Sequence, residues 1–166
     1  GYKIITLDFK NPTKSTRYNF LQPVIDAVNN GDFRKAEEYT WDITQSLVGN
    51  EDTKMEKIWR DGEMSVIAGA IMSVVFDNKE HPEYQNLTNV YSFISEMCRT
   101  VGQTMPINKY IENLPPDHPS STIFNIARIA PEKTRGSFFT SALTTLRLFT
   151  SKSIYGMTCK SDFSLK

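Results

Sequence analysis

The run Lys133-Thr134-Arg135-Gly136-Ser137 gathers two cations, two hydroxyls and a glycine where an apolar helical pattern begins. Unpaired amides in a first helical turn carry partial positive charge, so cations beside them can hold a phosphate or a carboxylate. The same residues fit equally well a helix start whose hydroxyls do no more than cap backbone amides. Together with the rest of the C-terminal quarter, Lys133, Arg135, Arg147, Lys152 and Lys160 are the candidate contacts for nucleic acid or another anion. Residues 128–166 hold seven basic and two acidic side chains, against ten and sixteen in residues 11–127. Over the whole chain 19 basic and 19 acidic groups cancel, which argues against a surface that grips nucleic acid everywhere and leaves only a local basic end. A bias of this kind usually marks a solvated face, so the segment alone names no ligand.

Other reactive side chains lack partners at useful spacing. His81 and His118 each precede a proline in turn-like sequence, 37 positions apart, and read as surface or loop-capping histidines. Asp61-Gly62-Glu63 puts two carboxylates ahead of an apolar helix. Acid–base chemistry uses such pairs, but acids at a helix start are also favoured by the macrodipole. Trp41 and Trp59 sit where a helical core would accept them, with base stacking or a partner's anchor as the other use. Cys98 and Cys159 form no CxxC pair, so a reducing cytoplasm is expected rather than a disulfide framework or a zinc knuckle. No GxxxxGK[ST] occurs, so the chain by itself has no loop to wrap a nucleoside triphosphate. No catalytic, cofactor-binding or metal-ligating residue is assigned, and the chain is expected not to be an enzyme.

The elements that would position these residues are mostly helical. At 166 residues the chain is the size of one domain and can bury roughly two-thirds of its unfolded surface. Residues 3–9 are short, β-branched and closed by Asn11-Pro12, the pattern of a buried strand ending in a turn. Asn30-Gly31-Asp32 breaks an apolar segment that starts near Leu21. Asp32 can then cap a helix through about Leu47, with Phe33, Ala36, Tyr39/Thr40, Ile43 and Leu47 at helical spacing and Gly49 as its stop. A helix from about Thr53 or Asp61 to Phe76 is apolar nearly all round over residues 64–76 and should be the central, buried one.

An amphipathic helix beginning at Leu87 is expected to end at Gly102, with a short helical piece at residues 107–114 and a rigid connector at Leu114-Pro-Pro-Asp-His-Pro119. Pro119 fits the first turn of a helix through Ala130, and Pro131 can open the next, with Phe139, Ala142/Leu143, Leu146 and Phe149 on its apolar face. Residues 154–159 read as a connector or short strand. The longest apolar run, residues 66–76, is interrupted by Gly69 and Ser73 and falls short of the ~20 residues a bilayer demands. No signal peptide is recognised. The expected fold is all-α: a compact multi-helix bundle over residues 21–150, with short strand-like or extended segments at both termini, residues 1–20 and 151–166.

Several blocks resemble one family. They are Leu7-Asp8-Phe9-Lys10-Asn11-Pro12 with Ser15 and Tyr18-Asn19, Leu114-Pro-Pro-Asp-His-Pro119, Lys133-Thr134-Arg135-Gly136-Ser137 leading to Leu146-Arg147-Leu148-Phe149, and Thr158-Cys159-Lys160-Ser161-Asp162-Phe163. In that order they resemble type IV secretion coupling proteins of the TraG class, from residue 4 to residue 166 and most specifically in the first 20 and last 50 residues. The resemblance implies a parent with a RecA-like hexameric motor that uses ATP and Mg²⁺, anchored at the cytoplasmic face of the inner or plasma membrane, and an all-α domain inserted into that motor. Residues 1–20 and 151–166 would then be motor remnants, with Walker A upstream of Gly1 and Walker B downstream of Lys166. Residues 21–150 would be the cytoplasmic substrate-docking domain, without a cofactor of its own. The implied partners are a relaxase or relaxosome accessory protein, single- or double-stranded DNA, and the parent motor domain. Neutral overall charge favours protein docking over direct, non-specific DNA binding, because neutralising about 6–10 phosphates takes a clear basic surface. An unrelated small helical enzyme would need nucleophile–base or metal spacing that the chain lacks.

Overall fold

Three glycines with positive φ, Gly31, Gly49 and Gly102, together with eight prolines, cut the chain into short helical pieces around one long one. The computed structural model describes residues 4–50 and 54–165, so Lys3, Thr53 and Lys166 of the patterns above fall outside the described residues. Helices α1 (Gln22–Asn29) and α2 (Phe33–Val48) pack together across the Gly31 turn. The Asp32 side chain accepts the Lys35 amide at 3.0 Å as the N-cap, and Gly49 at φ 81° ends the helix.

Helix α3 (Lys54–Asp77) is the axis of the fold and packs against α1, α2 and four later helices. Residues 65–75 are buried without exception, each large apolar side chain among them contributing about 1.5–3 kcal/mol. Its small residues set how closely neighbours approach. A Cβ added at Gly69 would overlap the Phe124 ring, and one at Gly62 the Phe138 ring. Serines in this apolar helix are satisfied locally: Ser73 donates to Ser120 Oγ at 2.9 Å and Ser65 to the Ile123 carbonyl at 2.6 Å.

The later elements wrap this axis: α4 (Leu87–Met97), α5 (Pro106–Asn113), α6 (Ser120–Ile123), α7 (Asn125–Ile129), α8 (Glu132–Leu146), a 3-10 turn at Arg147–Thr150, and α9 (Lys152–Thr158). Among the described residues there is no β-strand, only an isolated bridge between Val101 and Thr104 around Gly102. The chain is all-α, as its periodicity implied. No described helix is long and apolar enough to cross a membrane.

Four expectations are corrected. Residues 4–9 form no buried strand: Ile4, Ile5, Leu7 and Phe9 are exposed, and the segment is tied back by the Thr16 amide to the Thr6 carbonyl at 2.8 Å. A β-branched run with no strand beside it has no ladder to join. Residues 154–159 are mostly helix rather than connector or strand, because Ile154, Met157 and Thr158 fall on one buried helical face of α9. The single helix expected from Pro119 to Ala130 is broken at Phe124 into α6 and α7, where the Ser65 hydroxyl engages the Ile123 carbonyl. Finally, α4 stops at Met97, and Gly102 serves the Val101–Thr104 turn instead of ending the helix.

The two end segments lie side by side. The Tyr18 amide donates to the Met157 carbonyl at 2.9 Å, the Asp162 amide to the Arg17 carbonyl at 3.0 Å, and the Asn19 amide to Ser161 Oγ at 3.0 Å. Arg17 grips Asp162 through both Nε and Nη2, and this hydrogen bond holds the Asp162 carboxyl below its ordinary range. Tyr18 stacks on Phe163 with ring centroids 5.1 Å apart.

Candidate functional site

Of the five candidate cations, Arg135 is engaged by the fold, and Lys133 and Arg147 stand at opposite ends of α8. Lys133 is exposed in the first turn of α8 and lines a cleft with Arg99, Thr100, Gly136 and Thr140 at the end of α4. Arg135, two positions on, points its guanidinium inward: it donates to Asn108 Oδ1 on α5, to the Arg128 carbonyl at 3.2 Å and to the Ala130 carbonyl at 3.1 Å. That arrangement closes the C-terminal end of α7 and leaves Arg135 committed to the fold. Arg147 is exposed in the 3-10 turn, about 20 Å along the α8 axis from Lys133 at 1.5 Å per residue. Lys152 and Lys160 are exposed at the start of α9 and just beyond its end. Arg99, outside the basic C-terminal quarter, joins Lys133 at the cleft and pairs with Glu96 at 3.5 Å.

Arg135→Ala is therefore expected to destabilise the chain by about 1–3 kcal/mol, from the loss of a charged donor's hydrogen bonds to part-buried acceptors on α5 and at the end of α7. Lys133→Ala should stay within about 0.5 kcal/mol, as surface changes do. Thermal denaturation of the two single variants checks this, and equal effects would mean that the Arg135 guanidinium does not hold α5 and α7 together.

The other side chains singled out above take structural positions. His118 is buried; its Nδ1 accepts the Ser120 amide at 3.1 Å, which places the proton on Nε2, donated to Asp77 Oδ1 at 2.9 Å. The Tyr110 hydroxyl donates to the other Asp77 oxygen at 2.7 Å. One histidine thus caps α6 and, through Asp77, ties α3 to α5. His81 is exposed beside Glu83 at 3.2 Å. Asp61 and Glu63 lie within α3 rather than ahead of a helix, and Glu63 accepts the Thr145 hydroxyl. Trp59 is not core: it is 47% exposed, its edge against Phe138.

A second feature carries no sequence motif. An apolar groove of about 540 Å³ opens between α2 and the Arg147–Thr150 turn, lined by Phe9, Phe20, Ile43, Leu47, Leu148 and Phe149, with Asp42, Ser46 and Thr145 as its polar lining. Phe9 stacks on Phe20 at 6.0 Å, and Phe20 meets Phe149 edge-on at 6.5 Å.

Residues 1–166 match the model of the family described as type IV secretory system conjugative DNA transfer. The chain belongs to this family. No curated protein and no solved structure matches it. Within a conjugative DNA-transfer protein, the dispersed exposed cations and the apolar groove are two chemically different surfaces. The first suits phosphates, the second apolar side chains of a protein.

Proposed function

We infer that this chain is the substrate-docking domain of a type IV coupling protein and that it receives a relaxase or a relaxosome accessory protein, without catalysing a reaction itself. The observation that carries this reading is the open apolar groove, set in a family devoted to conjugative DNA transfer. Docking needs desolvated apolar anchors, which a rigid aromatic wall supplies. Direct DNA contact is the second reading, favoured by exposed Lys133, Lys152 and Lys160. It is weaker because Arg135 is turned inward and the remaining cations are spread over both ends of α8.

The test is retention of relaxase, accessory proteins and transfer-origin DNA from the same mobile element by the immobilised chain at two salt concentrations. A protein partner should be retained at both, whereas DNA should be held weakly and released at the higher one. Tight, salt-sensitive DNA binding that Lys133→Ala, Lys152→Ala and Lys160→Ala together abolish would reverse the order of the two readings.

A further inference from the structure

We propose that the groove between α2 and the Arg147–Thr150 turn seats an amphipathic helix of the partner protein, one whose apolar stripe is flanked by Lys or Arg; this rests on the docking reading above. Four observations lead there. The wall is preorganised. Asp8 Oδ1 accepts the amides of Lys10 and Asn11 at 2.9 and 3.2 Å, fixing the turn that carries Phe9 against Phe20, which in turn meets Phe149. Anchoring surfaces that are already rigid lose little entropy when a partner arrives.

The groove is also open. Leu148 is 53% exposed and Phe9 43%, so the described chain leaves both uncovered. Its shape suits a helix better than an extended peptide: the walls are helix, 3-10 turn and loop, with no sheet edge to pair a strand's backbone, whereas a helix satisfies its own.

Charge then selects the flanks of that helix. Asp42 is the sole ionisable side chain among the described residues that line the groove. The cleft continues along α2 past Ser46 to Gly49 and Asn50, where the Arg60 guanidinium donates to Asn50 Oδ1 at 3.2 Å; Asp42 is the one ionisable side chain among its described lining residues. Glu38 stands one turn earlier on the same face, and its contact with exposed Arg34, at 3.6 Å, is a weak one. Between α2 and the turn, a phosphate backbone would meet a carboxylate and no cation among the described lining residues. A lysine or arginine beside leucine or phenylalanine meets both an apolar wall and an acid.

Two synthetic helical peptides with the same leucine stripe, one flanked by lysines and the other by glutamates, probe the groove directly. The chain should bind the lysine peptide in preference. Leu148→Glu should weaken that binding by about tenfold or more, since a charge then occupies an anchor position. Asp42→Lys should remove the preference for the lysine peptide, and Ile129→Glu, at an 82% exposed site on α7, should change nothing. Circular dichroism of each variant verifies that it folds. Equal binding of the two peptides, or equal loss in the Leu148 and Ile129 variants, overturns the proposal. So does self-association of the chain abolished by Leu148→Glu, which would make a second copy the occupant. If relaxosome proteins bind the chain and Leu148→Glu leaves that binding intact, the groove assignment fails while docking stands. If no relaxosome protein binds but the lysine peptide behaves as described, docking of those proteins fails and the groove's preference stands.

Discussion

Phe124→Ala should lower the stability of the chain by about 3–5 kcal/mol, which for a domain of this size means a midpoint roughly 6–20 °C lower in thermal denaturation. Phe124 is almost fully buried, at the break between α6 and α7, with its ring seated over the bare backbone of Gly69 in α3. Removing the ring leaves a cavity against the most buried stretch of the axis, where α3 is held by neighbours on several sides and cannot collapse inward. Gly69→Ala attacks the same contact from the other side. In an exposed helix that change would gain about 1 kcal/mol, but here the new methyl overlaps the ring and overpacking costs about 1–3 kcal/mol. The net change should be destabilising. The double variant should cost less than the sum of the singles, because removing the ring vacates the space the methyl needs. A Gly69→Ala chain more stable than the parent would show that the ring is not seated there.

Asn19→Ala is the second large effect. Asn19 is buried; its amide group donates to the Gln85 carbonyl at 2.7 Å, and its side-chain oxygen accepts the Leu21 amide at 3.0 Å. Gln85 is itself buried and donates to the Val75 carbonyl at 2.7 Å, so a chain of polar contacts runs from the N-terminal segment into the end of α3. The substitution strands two buried groups at about 1–3 kcal/mol each. Asn19→Asp should cost at least as much in a neutral-pH denaturant titration, since it keeps the acceptor for Leu21 but sets a buried carboxylate oxygen against the Gln85 carbonyl. If Asn19→Ala proves neutral in that titration, the polar chain does not bear on stability.

The helical body was legible because its signals are local. Asp32 and Gly49 bound α2, prolines open several later elements, and a stretch of α3 that is apolar nearly all round fits an interior helix. Which face of α2 is buried was less legible. Of the expected stripe Phe33, Ala36, Tyr39/Thr40, Ile43 and Leu47, Ala36 and Thr40 do face inward, but the buried line runs on through Thr44 and leaves Phe33 exposed. Thr40 and Thr44 return their hydroxyls to the carbonyls one turn back, at 2.7 and 2.8 Å, and so enter the core as if apolar. Ile43 and Leu47 are left half-buried on the flank, and that displacement creates the groove. The groove draws its residues from four separate parts of the chain, so no spacing could announce it. Nor could spacing separate Arg135 from Lys133, since only the positions of Asn108 and of the α7 carbonyls decide which cation faces in.

The clasp between the two ends has a mechanical meaning. Arg17 with Asp162, Tyr18 with Met157 and Phe163, and Asn19 with Ser161 join the ends at neighbouring positions. Tension applied across the two ends reaches this clasp before any helix of the body. Its bonds would carry the load first, and until they part the hydrophobic interior and the groove beside it keep their shape. A pull on residues 17 and 162 would thus be met by a short circuit of bonds, and the interior would feel it only after that circuit opened.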